Sequence, residues 1–202
     1  MREVTIREPC ACSAATFWNL RGNSHWDAYS ASEDRQVYTP IRTTHTRTPH
    51  HGIRTQRVSR LTQRWPPAVL AALKLRAEDL QVNVETSWCS NSYDEQHPCV
   101  IVIRLPILGD RFIVHGRLWV EPRDEASCIL HSSYVVDVRV PLVSSRVETM
   151  VEKRMRATYA DQPRRVAQYL TSAHPVYELI ARIVSTPTPG AIPVEVAWID
   201  GS

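Results

Sequence analysis

The sequence predicts an α+β fold in which a curved antiparallel sheet grips one long C-terminal helix, and three observations predict it. Cys128 to Val140 alternates apolar and polar residues, the signature of a strand with one core face and one wet face. That strand leads almost directly into Val147, Met150, Val151, Met155, Tyr159, Val166, Tyr169 and Leu170, which recur at helical spacing. Ahead of it lie Leu80 to Cys89, Val100 to Leu105 and Phe112 to Glu121, strand candidates joined by links rich in turn residues, which favours antiparallel neighbours.

Length and composition bound the class. A chain of 202 residues suits one domain, read here as residues 1–185, followed by an extended or mobile tail over 186–202 that holds Pro187, Pro189, Gly190 and Pro193. An apolar fraction of 43% argues against global disorder. No run approaches the roughly 18 apolar residues of a membrane-spanning helix. Glu3 and Glu8, with no apolar stretch beside them, argue against a leader peptide, so a cytoplasmic protein, at most peripheral at membranes, is expected. The five cysteines, Cys10, Cys12, Cys89, Cys99 and Cys128, lack zinc-type double pairing and are read as reduced, mostly buried thiols.

The remaining elements follow in order. Arg2 to Arg7 alternates Val4 and Ile6 with charged residues and forms a first strand ended by Pro9. Ser13 caps a helix carrying Ala14, Phe17, Trp18 and Leu20, which Gly22 and Asn23 terminate. His25 to Tyr29 reads as a loop or short turn whose aromatics pack beneath the sheet. Gln36 to Thr39, Ile41 to Arg47 and Ile53 to Leu61 read as three short strands, and neither face of the third is convincingly apolar. Pro66 and Pro67 open a short helix through Leu73. Ser145 and Glu148 have capping-box spacing at the start of the long helix. Pro163 predicts a kink or split near Asp161, and His174-Pro175 a separate last helix.

Charge is unevenly spread although the net charge is only +3. Gln36 to Ala77 holds no acidic residue, and Arg42, Arg47, Arg54, Arg57, Arg60 and Arg64 make it a candidate contact for an anionic membrane surface. Between Ile41 and Arg64 it has no aromatic residue for base stacking, so nucleic acid is not expected as a partner. His45, His50 and His51 lie in the same stretch without a nearby carboxylate or cysteine, and no metal is expected. No phosphate loop, dinucleotide fingerprint, nucleophile elbow or zincin motif occurs, and no cofactor is expected.

The strand-to-helix passage Val138-Arg139-Val140-Pro141-Leu142-Val143-Ser144-Ser145-Arg146-Val147-Glu148, together with Trp88 and Leu105-Pro106-Ile107-Leu108-Gly109-Asp110 before it, resembles the START-like, or helix-grip, superfamily. It is nearest to an uncharacterised START-like family, with related junctions in VASt sterol-binding and PRELI-type lipid carriers. Ser144 and Ser145 stand where such junctions carry glycines, and Arg146 where they carry lysine. The resemblance implies a cavity between sheet and helix that takes a hydrophobic molecule, plausibly a lipid or sterol. Trp88, Phe112, Val114, Leu118, Leu130, Ser132, Tyr134, Val136, Val147, Met150, Val151 and Met155 are the expected lining. The inward-facing set Phe112, Val114, Leu118, Val120, Leu130, Ser132, Tyr134, Val136 and Val138 holds no carboxylate, histidine, lysine or cysteine, so a protein that is not an enzyme is expected. The alternatives are an interaction module whose cavity is filled by side chains, and an enzyme of cyclase or hydrolase type.

Overall fold

A computed structural model describes residues 1–33, 38–48, 52–61, 65–76 and 80–185. Seven antiparallel strands form one curved sheet in the order β1-β7-β6-β5-β4-β3-β2. They are β1 (Arg2–Cys10), β2 (Tyr38–Thr48), β3 (Gly52–Leu61), β4 (Gln81–Cys89), β5 (Cys99–Arg104), β6 (Phe112–Pro122) and β7 (Cys128–Val138). The helices are α1 (Ala14–Asn19), α2 (Ser24–Glu33), α3 (Pro67–Leu73) and the long α4 (Ser144–Ser185). This is the α+β arrangement of sheet and gripped helix that the alternating strand and its helix predict. The expected tail over 186–202 lies outside the described residues.

Every strand from β2 to β7 pairs with its sequence neighbour, as short links require. The exception closes the sheet: β1 pairs with β7, Val4 opposite Tyr134 and Cys10 opposite Cys128. The even face of β7 is wholly interior, with Leu130, Ser132, Tyr134, Val136 and Val138 all buried. Opposite Tyr134 stands Gly116 of β6. A β-carbon at Gly116 would overlap the Tyr134 ring, so glycine is required by that close approach. The ring then meets Tyr159 of α4, with centroids 5.1 Å apart.

Helix α4 is docked on the β1/β7 end of the sheet. Val147 is fully buried there, and Arg2 of β1 donates to Glu152 at 2.6 Å. Arg156 joins the same Glu152 at 3.0 Å and reaches the Thr5 carbonyl at 3.4 Å. The turn into α4 differs from a capping box. The Ser144 hydroxyl accepts from the Val140 N–H at 2.8 Å and donates to the Val140 carbonyl at 2.7 Å. Glu148 is buried and accepts instead from the Val138 N–H at 3.3 Å, tying strand end to helix start. Leu142 in this turn has φ +70°, a left-handed conformation that costs a bulky residue roughly 1–3 kcal/mol.

Two other expectations change. Helix α4 runs unbroken through Pro163 and Pro175, so neither a split near Asp161 nor a separate last helix occurs. Asp161 holds both Arg164 and Arg165 at 2.6 Å across Pro163, ion pairs at helical spacing that support the turn where the ring removes a backbone donor. His25 to Tyr29 belongs to a true helix, α2, because the Asn23 carboxamide caps it, accepting from the His25 and Trp26 N–H groups at 2.9 and 3.1 Å. Trp26 and Tyr29 pack on Tyr169 of α4, with centroids 5.2 and 5.4 Å away. The two expected strands over 36–47 are one strand, β2, with a register shift between Pro40 and Arg42.

This packing is testable at two positions. Gly116→Ala should lower stability by about 1–3 kcal/mol in urea unfolding, because the Tyr134 ring is hemmed in by Tyr159. An unchanged midpoint would show that the ring can move aside. The Arg164 guanidinium, with Arg165 beside it, holds the Asp161 carboxyl down at about 2 against an ordinary 3.8. A lowered folded-state value means the carboxylate stabilises the fold above its unfolded value, and the gain is lost as pH falls through about 2. Asp161→Asn should therefore cost less than about 1 kcal/mol near neutrality, and the difference from wild type should shrink towards zero between about pH 4 and pH 2.

Candidate ligand cavity

Because α4 lies over β1 and β7, the inner face of β3, β4 and β5 is left with no helix directly on it, and a cavity of about 390 Å³ remains. Its sheet wall is built by alternation. Thr55, Arg57, Ser59 and Leu61 come from β3, Val82, Val84, Thr86 and Trp88 from β4, Ile101 and Ile103 from β5, and Phe112 and Val114 from β6. Helix α4 supplies Met150, Val151, Arg154, Met155, Thr158 and Tyr159. Trp65 closes one side, and the α1–α2 corner supplies Arg21, Gly22, Trp26 and Asp27. Val84, Ile103, Met150 and Val151 point inward yet remain half-exposed, because what they face is the cavity.

The corner that delivers Arg21 is set by local chemistry. Ser13 caps α1 by accepting from the Thr16 N–H at 3.1 Å, and Trp18 anchors it by donating its indole N–H to the Cys89 carbonyl at 2.7 Å. Gly22, with φ +75°, then turns the chain into α2, a conformation L side chains rarely adopt. Arg21 is thereby placed with its guanidinium carbon 5.0 Å from the Trp18 ring centroid and its Nη1 3.6 Å from the Cys99 sulfur. From α2, Asp27 accepts from Arg57 of β3 at 3.3 Å. Burial pushes the Tyr159 phenol above its ordinary value, while the neighbouring Tyr134 hydroxyl and the Arg21 charge pull the other way. Burial also pushes the Cys99 thiol up, so it is a neutral neighbour of Arg21.

Six of the expected lining residues are on this wall: Trp88, Phe112, Val114, Met150, Val151 and Met155. The other six are not. Leu118, Leu130, Ser132, Tyr134, Val136 and Val147 are at most 1% exposed and form solid core under α1 and α4. The reason is the position of β7, which lies one strand from the sheet edge, directly beneath the helix, rather than in the open half. His115, His131 and Asp137 face outward, as their parity requires: His131 meets Glu121 at 2.8 Å and Asp137 meets Arg139 at 2.6 Å.

The basic segment also divides. Arg42, Arg54 and Arg60 are exposed on the outer face, and Arg54 pairs with Glu85 at 3.3 Å. Arg47, opposite Ile53 in the register, lies on the inner side of the ribbon. Arg57 stands apart from them: it is half-buried, lines the cavity and pairs with Asp27. Arg64, His50 and His51 lie outside the described residues. His45 binds the Thr55 hydroxyl at 2.9 Å. Among the described residues no cluster of three or more His, Cys, Asp or Glu is arranged to hold a metal, and no helix is long and apolar enough to cross a membrane.

Residues 11–170 match the family described as a protein of unknown function, DUF2505, and the chain belongs to that family. No curated protein matches the sequence. Among solved structures, the fold is similar to TTHA0849 from Thermus thermophilus, at 10% identity and TM-score 0.53 over 85% of this chain and 99% of that one. It is similar to norcoclaurine synthase from Thalictrum flavum in complex with dopamine and hydroxybenzaldehyde, at 13% identity and TM-score 0.52 over 85% of this chain and 87% of that one. It is also similar to dicamba monooxygenase bound to dicamba, at 11% identity and TM-score 0.57 over 95% of this chain and about half, 53%, of the other. These likenesses establish the helix-grip fold. None of the three is named as a VASt or PRELI-type domain, and the resemblance stands at the level of the fold.

The expectation that the protein is not an enzyme does not stand. The same fold carries norcoclaurine synthase, whose name is that of an enzyme. The observation behind the expectation was also local to the wrong strands: the inward faces of β6 and β7 hold no carboxylate, histidine or lysine, but the cavity is bounded by Arg21, Asp27, Arg57, Arg154 and Tyr159 from elsewhere.

The division between core and cavity is testable on one helix. Val147→Asp should cost about 3 kcal/mol or more, because an unpaired charge enters solid core. Val151→Asp, facing the cavity, should cost less than half of that in the same urea series. Equal losses would show that α4 is rotated from the face described.

Proposed function

We propose that the protein binds an apolar small molecule between α4 and the inner face of β3 to β6. The observation that carries this reading is the cavity of about 390 Å³, lined by apolar and aromatic side chains and left unfilled. Pockets of roughly 300–1,000 Å³ with a few polar groups suit drug-sized ligands. This one lies near the small end, which favours a single-chain or few-ring lipid or sterol-like compound over a two-chain lipid. A ligand burying about 200 Å² of its own apolar surface, and as much of the walls, gains roughly 10 kcal/mol by area before ordering costs. Micromolar affinity needs about 8 kcal/mol net of an ordering cost of about 4 kcal/mol or more, so a ligand must bury roughly 500 Å² of apolar surface in all or add polar contacts to reach it. An interaction module with a filled cavity is disfavoured by the same open volume. The fold neighbour from Thalictrum flavum, in complex with dopamine and hydroxybenzaldehyde, supports a small-molecule partner of this general kind.

The test begins with native mass spectrometry and organic extraction of the purified protein, which reads both the mass of a retained molecule and any chemical change in it. A neutral environment-sensitive dye, N-phenyl-1-naphthylamine, then titrates the cavity. Ile103→Trp should fill it and weaken dye binding about tenfold or more, with a thermal midpoint close to wild type. Undiminished dye binding in a folded Ile103→Trp protein would remove the cavity as the binding site.

A further inference from the structure

Resting on the reading of this cavity as a ligand site, we infer that the bound molecule carries a carboxylate, held by Arg21 at the polar end of the cavity. The guanidinium cannot lose its proton in a protein, so its charge must be met by something. What meets it here is weak: the face of Trp18 at 5.0 Å and the sulfur of Cys99 at 3.6 Å, the latter a neutral thiol. The Arg21 Nε is buried and makes no hydrogen bond. Ser59, on the sheet wall of the same cavity, also has a buried hydroxyl with no partner. Buried donors are nearly always satisfied, and the open Arg21 Nε at the Trp88 end of the cavity calls for an acceptor there; Ser59, opposite Val82 and roughly 20 Å along the sheet, is beyond the reach of the same group.

The charges around the cavity point the same way. Three arginines line it, and Asp27 is the one carboxylate on its wall. Asp27 is engaged with Arg57, whereas neither Arg21 nor Arg154 has an ion-pair partner among the described residues. Arg21 is the better anchor of these two, because its Nε is the donor left buried without a bond. A planar guanidinium fork matches a planar carboxylate. Apart from the Arg57–Asp27 pair, Arg154 and the small hydroxyls of Thr55, Ser59, Thr86 and Thr158, the wall is aromatic and aliphatic, so a ligand with one anionic end on a mainly apolar body fits it. A single-chain fatty acid or an aromatic acid has that chemistry.

Decanoate and decan-1-ol share a chain and differ at the head, so their affinities for the intact protein, by tryptophan fluorescence or calorimetry, isolate the anion. Trp26, Trp65 and Trp88 line the cavity and report occupancy. Wild type should prefer decanoate by about tenfold or more, the range of a charge-assisted hydrogen bond. In Arg21→Gln the ratio should fall close to one with decan-1-ol binding retained, while Arg154→Gln should keep most of the preference. Arg21→Lys, which keeps the charge but loses the fork, should lose a large part of it, and it serves if the glutamine variant does not melt cooperatively. A wild-type ratio near one, with both compounds bound, overturns the carboxylate and leaves the cavity reading standing. A preference surviving in Arg21→Gln overturns the assignment to Arg21. Binding of neither compound to wild type overturns the cavity reading itself and this inference with it.

Discussion

A helix laid on a curved seven-stranded sheet touches only part of it, and which part α4 touches determines the rest of this structure. Its position is held at one end by β1, the strand that comes first in the chain and inserts beside β7. Arg2 to Glu152 at 2.6 Å and the buried Val147 dock the helix on that end, while Glu148 and Ser144 bind the strand terminus to the first helical turn. With the helix committed there, β3 to β5 have a concave inner face and no direct cover. Closing a helix onto them would require the sheet to flatten against its twist. The gap is instead roofed from the sides by Trp65, by α2 and by the far edge of α4.

The polar groups follow the same division. Under α4 the interior is apolar, with the hydroxyls of Ser132 and Tyr134 inside it and a buried carboxylate, Glu148, at its edge against the Val138 N–H and the N-terminal ammonium. Cys10, Cys12 and Cys128 cluster where β1 meets β7, and mutual hydrogen bonding and burial push the Cys12 thiol well up and Cys128 to about 12. Such thiols are inert at neutral pH. In the open half, charge is tolerated because solvent or a ligand can reach it. Arg21, Asp27, Arg57 and Arg154 are all half-exposed there, Arg21 with its guanidinium against Trp18 and its Nε buried.

The sequence by itself determined the elements that depend on local periodicity: β1, β4 to β7, α1, α3 and the course of α4 up to Pro163. Side-chain alternation and helical spacing are properties of contiguous residues, so they survive without a structure. Local rules failed where long-range partners override them. Pro163 does not break α4, whose flanks are held by Tyr159, Val166 and Tyr169 in the core, and α2 forms because Tyr169, more than a hundred residues away, gives its aromatics a surface. A quarter of the cavity wall, Trp88, Phe112, Val114, Met150, Val151 and Met155, was legible as inward-facing apolar positions. The β3 wall was not: Thr55, Arg57, Ser59 and Leu61 form a face of mixed polarity, and such a face has no meaning in sequence until the structure shows that it borders an open cavity rather than core or solvent. Strand order and the docking of α4 decided that, because they are set by pairings such as Val4 with Tyr134, whose sequence separation leaves no local trace.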